Sequence, residues 1–198
     1  MIDRYSRPAM KQVWSDENKY LKWMAVELAA CEAWAAEGVI PQEDMAKLRG
    51  AEYNHGRMME LFETTRHDVT AFLSSITESM GPEGRWLHLG LTSNDVLDTG
   101  LNLQLVEAGA LLQAELDRAI AALAAKAVEH KGTLAMGRTH GVHAEPMTMG
   151  LSTALWCDEM VRQQERPNEG IRRHRVGLAC GYVGTLATDR QSGRVGKR

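Results

Sequence analysis

Four short segments put arginine, histidine, hydroxyl and carboxylate side chains where helical periodicity would otherwise demand apolar ones. They are Arg4-Tyr5-Ser6-Arg7-Pro8, Thr65-Arg66-His67-Asp68-Val69, His88-Leu89-Gly90-Leu91-Thr92-Ser93-Asn94-Asp95 and Gly137-Arg138-Thr139-His140-Gly141-Val142-His143-Ala144-Glu145-Pro146. Each falls at a helix start or in a break between helical patterns. Helix N-termini present unpaired N–H groups and a positive dipole end, which suits anions. Arginine and hydroxyl donors beside such ends suit carboxylates and phosphates. The residue types therefore predict a site for a multiply anionic ligand, with histidine available for proton transfer.

Simpler roles compete at each position. A histidine before a helix, such as His67, is more often a cap or surface residue than a catalyst. Thr92-Ser93-Asn94-Asp95 reads equally well as the N-cap cluster of the helix that follows. His140, His143 and Glu145 could suggest a metal site. They lie, however, in a stretch bounded by glycine and proline, without the i, i+4 histidine pair of a metalloprotease helix. No metal and no cofactor are expected. Cys31, Cys157 and Cys180 are too widely spaced for a Cys-x-x-Cys ligand pair and read as buried free thiols. The 11 methionines include Met24, Met45, Met58 and Met160, which sit in helical patterns as core filler.

The elements that must position these residues read as helix almost throughout. Ser15 followed by Asp16 and Glu17 is an N-cap with acid in the first turn. Leu21, Met24, Leu28, Cys31 and Ala35 then recur at helical spacing, and Gly38 ends the run. Pro41 opens the next helix, with Met45 and Leu48 facing inward. Residues 58–79 read as one or two helices broken near Thr64-Thr65-Arg66, and Gly81-Pro82-Glu83-Gly84 as a turn. From Asn94 to about Lys131 the pattern is one long helix, striped by Leu105, Leu112, Leu116, Ile120 and Leu123. A second helix is expected from about Thr148 to Arg166, with Arg172-Arg173-His174-Arg175 as a solvated face or frayed end. No run alternates like a strand. The expected fold is all-α: a small N-terminal helical domain over 1–93, the first part of a long-helix bundle over 94–188, and an irregular tail over 189–198.

The chain has 198 residues, a net charge of -3 and a pI near 6.2, which argues against nucleic-acid binding. No apolar run reaches bilayer-spanning length, and the N-terminus lacks the apolar core of a secretory signal. A cytoplasmic location is expected.

In this order and spacing, the four segments resemble the fumarase/aspartase superfamily. The start Arg4-Tyr5-Ser6-Arg7-Pro8-Ala9-Met10, the helix Ala29-Ala30-Cys31-Glu32-Ala33-Trp34-Ala35, the Thr65–Val69 turn and the Gly137–Pro146 run resemble its adenylosuccinate lyase family. Fumarase and aspartase would carry Ser-Ser-Asn-Asp, and argininosuccinate lyase Ser-Arg-Asn-Asp, where this chain has Thr92-Ser93-Asn94-Asp95. The resemblance implies β-elimination of fumarate from a succinyl-bearing nucleotide, with His140 as general acid. It implies that Arg4 and Tyr5 bind the nucleotide phosphate, that Arg66, His67 and Asp68 contact substrate, and that Thr92 and Ser93 bind a succinyl carboxylate. His88 is at most a helper, and His143 structural. The family needs no cofactor and assembles as a homotetramer whose active sites draw on several subunits. Its base is a serine on a mobile loop, to which nothing here corresponds. Residues 176–187 still resemble the family, while Asp189 onward does not. A truncated or frame-shifted chain is therefore expected, inactive alone and prone to associate. The alternatives are another fumarate-releasing lyase, such as argininosuccinate lyase, or a non-catalytic helical fragment.

Overall fold

A computed structural model describes residues 2–178. The stretch from residue 179 onward, which includes Cys180, most of the family-like 176–187 segment and the 189–198 tail, lies outside the described residues. Two compact units are present: residues 2–105 with 175–178, and Val106–His174.

The first unit begins with a 3-10 turn, Asp3–Tyr5, and a short helix α1 (Pro8–Val13) with proline at its first position. Helix α2 (Asp16–Ala36) starts as expected, with the Ser15 hydroxyl accepting from Asn18 N–H at 3.1 Å. It ends in a Schellman motif: Val39 N–H donates to Trp34 O, Gly38 N–H donates to Ala35 O, and Gly38 takes a φ of 77°. Pro41 is the N-cap of α3 (Gln42–Leu48) rather than its first residue. Asn54 caps α4 (His55–Thr65), and α5 (Asp68–Thr77) follows after the break at Arg66-His67. A 3-10 helix (Pro82–Trp86) stands where the sequence suggests a turn. The long helix α6 (Ser93–Glu129) then begins.

The face that α2 buries differs from the expected stripe. Leu21 is half exposed, and the buried residues are Asn18, Tyr20, Trp23, Met24, Glu27, Cys31, Trp34 and Ala35. Tryptophan and tyrosine bring more apolar area than leucine, so they set the orientation. Trp23 meets Phe72 edge-on at 5.6 Å, and Tyr20 stacks on Phe72 at 6.0 Å. Met45, Leu48, Met58, Val69 and Ile76 complete this core. Full burial of each such side chain is worth about 1.5–3 kcal/mol.

In the second unit the expectation of no strand fails. Strands β1 (Leu134–Thr139) and β2 (Val142–Thr148) form an antiparallel hairpin. Thr148 then caps α7 (Met149–Gln163), its hydroxyl accepting from Leu151 N–H. That helix stops short of Arg166 and gives way to α8 (Glu165–His174). Pro167 explains the break: its ring clashes with the carbonyl four residues earlier, at Gln163. Arg172 and Arg173 both pair with Glu169 on the solvated surface of α8. Close approaches fix the packing. A Cβ on Gly150 would stand 2.6 Å from Ala127 O, and one on Gly109 would stand 2.5 Å from Ile171.

Candidate active site

Arg4 and Tyr5 lie in the first 3-10 turn, both exposed, with the Arg4 guanidinium 4.7 Å above the Tyr5 ring. An exposed cation–π contact is worth roughly 0.5–1 kcal/mol, so it orients Arg4 without consuming its hydrogen-bond donors.

The Arg66-His67-Asp68 segment is built by a chain reversal. Arg66 ends α4 in the left-handed region at φ 50°, and its guanidinium pairs with Glu63 at 2.9 Å. His67 is extended and caps α5, its Nδ1 accepting from Thr70 N–H at 3.3 Å. Asp68 occupies the first turn of α5, where a carboxylate complements the helix dipole, and its Oδ1 accepts from Val69 N–H.

The start of α6 meets this segment. Asp95 is fully buried and its Oδ2 accepts from Thr92 N–H at 2.8 Å, while Asp95 N–H donates to Thr92 O. The Asp95 carboxylate thus supplies the side-chain half of a capping box, with aspartate in place of glutamate, while the Thr92 carbonyl takes the Asp95 N–H. It sets Ser93 so that Oγ lies 3.5 Å from Nε2 of His67. The fold thus brings His67 and Ser93, 26 residues apart in the sequence, together at the N-termini of two helices.

Five residues before Ser93, His88, expected to be at most a helper, is paired with Glu27. His88 adopts φ 66°, a left-handed conformation uncommon outside glycine. Glu27, fully buried on α2, engages two of its groups: Oε2 accepts from His88 N–H at 2.8 Å, and Oε1 lies 2.7 Å from Nδ1. The available sequence signal was Glu27 itself, a carboxylate amid an apolar helix face, where a charge needs a specific partner.

His140 belongs to the Val106–His174 unit, at the tip of the hairpin. Thr139 pairs with Val142, so His140 and Gly141 form the two-residue turn, with φ values of 51° and 75°. Positive φ at both positions is the type I′ turn that matches strand twist. Histidine tolerates the left-handed region better than most residues. Next to the turn, Gly137 faces Ala144 and Glu145 where the register slips between Met136 and Arg138. A Cβ there would come within 2.9 Å of Glu145 O, so the bulge requires glycine. His140, His143 and Glu145 are all exposed.

Among the described residues, no three His, Cys, Asp or Glu side chains gather in a way that could hold a metal ion. Nor is any described helix long and apolar enough to cross a membrane. Burial pushes the Cys31 thiol up to about 12, helped by the charges of Glu27 and Glu32, so it is no nucleophile at neutral pH.

The family described as Lyase matches residues 3–194. Over 188 residues, 94% of this chain, the sequence is 50% identical to the adenylosuccinate lyase of Bacillus subtilis (strain 168), of which it covers 44%. The chain therefore spans less than half the length of that relative. A fumarate lyase from Mesorhizobium sp. BNC1 superposes with a TM-score of 0.88 at 28% identity, over 95% of this chain and 46% of that one. The 3-carboxy-cis,cis-muconate lactonizing enzyme from Pseudomonas putida also gives 0.88, at 29% identity over 100% and 47%. With the family matched across nearly its whole length, and with its all-α fold shared with these enzymes, the chain belongs to the lyase family, in the fumarase/aspartase type.

Proposed function

We propose that this chain is the N-terminal part of an enzyme that eliminates fumarate from adenylosuccinate to give AMP, and from the related succinyl-carboxamide ribotide. The observation that carries the reading is the 50% identity to an adenylosuccinate lyase over 94% of the chain. The fold does not choose by itself, because a lactonizing enzyme matches it as closely as a fumarate lyase does.

In this reading a base takes a proton from the succinyl carbon, the carbon–nitrogen bond breaks, and an acid protonates the departing nitrogen. His140 is the acid; the matching base is the family's serine, to which none of these residues corresponds. Thr92 and Ser93, at the positive end of the 37-residue α6, hold a succinyl carboxylate. Arg66, His67 and Asp68 contact the substrate beside them, and Arg4 and Tyr5 take the phosphate. His140 stands exposed on its hairpin, and a general acid works best where water is excluded. Other copies of the chain in a homotetramer supply that cover. Leu112, Leu151, Leu155 and Trp156, each at least half exposed on α6 and α7, offer the apolar surface for such assembly.

The test is fumarate release from adenylosuccinate by a full-length lyase carrying these residues. His140→Ala should lower turnover about 10²–10⁴-fold with substrate binding largely kept. Turnover near that of the unsubstituted enzyme would remove His140 from the acid role.

A further inference from the structure

We infer that Glu27 is a positioning residue that holds the His88 imidazole in its Nδ1–H form, leaving Nε2 as the ring's unprotonated nitrogen. Three observations converge on it. The Glu27 carboxylate is fully buried, 61 residues away in sequence, and both of its oxygens engage the same residue. A buried carboxylate demands donors, and His88 supplies two: the backbone N–H at 2.8 Å and the ring at 2.7 Å. With Glu27 ionised, a contact this short places the proton on Nδ1, because a bare ring nitrogen facing a carboxylate would set two lone pairs against each other. The backbone bond also holds His88 at φ 66°, a conformation that a non-glycine residue keeps only when its surroundings enforce it.

The other histidine of this unit's site is set the opposite way. Thr70 N–H donates to Nδ1 of His67, so the proton of the neutral ring resides on Nε2 and points to Ser93 Oγ at 3.5 Å. One ring is thus built as an Nε2–H donor and the other with Nε2 open to accept. A site that must both anchor an anion and exchange a proton needs the two kinds of group. Glu27 touches no substrate in this scheme; it acts through His88.

The role of the neighbouring residues as a ligand site rests on the lyase reading above, whereas the state of the His88 ring does not. The experiment is therefore spectroscopic: two-bond proton–nitrogen correlation of the labelled chain, at a pH above the titration of its histidines. The neutral His88 ring should be mostly Nδ1–H and that of His67 mostly Nε2–H. In Glu27→Gln, the amide oxygen keeps the backbone N–H while its NH₂ turns to Nδ1, so His88 should invert to mostly Nε2–H and His67 should stay unchanged. An Nε2–H ring on His88 in the unsubstituted chain, or an Nδ1–H ring persisting in Glu27→Gln, would overturn the assignment. Should Glu27→Gln fail to fold, the spectrum of the unsubstituted chain decides alone. Loss of the His140 effect on turnover would sink the lyase reading without touching this one.

Discussion

His67 is asked to do two things, and substitution separates them. Its Nδ1 caps α5 by accepting from Thr70 N–H, and its imidazole reaches Ser93. Removing a side-chain N-cap costs about 0.5–2 kcal/mol. Here the bond is 3.3 Å, longer than the usual N–H···O distance, and the side chain is half exposed, so water can replace the lost acceptor. His67→Ala should therefore fall in the lower half of that range, about 0.5–1 kcal/mol. For a chain of this size, that lowers Tm by roughly 1–4 °C. Asparagine is among the best N-cap residues, and His67→Asn should stay within about 0.3 kcal/mol of the unsubstituted chain. The buried face of α5, Val69, Ala71, Phe72 and Ile76, is untouched in both, so the fold persists. Urea denaturation followed by circular dichroism reads the difference. Equal destabilisation by alanine and asparagine would refute the capping account, as would no effect of alanine. In a full-length lyase, His67→Asn with intact stability and reduced activity would assign the loss to the ring itself.

Gly100 lies on α6 where a Cβ would meet Trp23 Cδ1 at 2.8 Å, and Trp23 is 2% exposed and cannot swing away. Gly100→Ala gains about 1 kcal/mol in helix propensity but overpacks the core by about 1–3 kcal/mol. Its urea midpoint should fall; a midpoint raised to match the propensity gain would show that α6 and α2 separate freely. Cys31, with its thiol at about 12, is roughly one part in 10⁴ thiolate at pH 8. Peptide mapping after iodoacetamide should find it unmodified in the native chain and modified in urea, and native labelling as fast as at Cys157 would contradict its burial.

Helix boundaries were legible wherever the signal is local. Ser15 caps α2, Gly38 ends it and Thr148 caps α7 because each depends on a hydrogen bond or a φ within a few residues. The α2 face was misread at Leu21 because periodicity counts apolar positions without weighing them, and the aromatic rings decide the packing. The hairpin escaped because its exposed strands have no core face, so no apolar alternation exists to detect. The signal that remained was His140-Gly141, a dipeptide able to take positive φ twice between Thr139 and Val142. Of the candidate site, the polar clusters at helix starts could be read directly. The Glu27–His88 contact could not, since it depends on the packing of α2 beneath a segment 61 residues later.

The groups proposed to bind substrate in the first unit are largely the groups that cap its helices. Thr92 and Asp95 close the start of α6, and His67 closes the start of α5. Folding therefore sets their positions before any ligand arrives, and a preformed site spends less binding energy on ordering. The proposed acid is held by a different device. A type I′ turn and a glycine bulge fix the backbone of His140, but its surroundings are solvent. Binding and proton transfer then respond differently to assembly: ligand contacts at α5 and α6 exist in a single chain, whereas the acid gains a water-excluding environment only when another surface covers the hairpin. On the proposed reading, a dissociated chain should retain part of its affinity for anionic ligands while losing turnover.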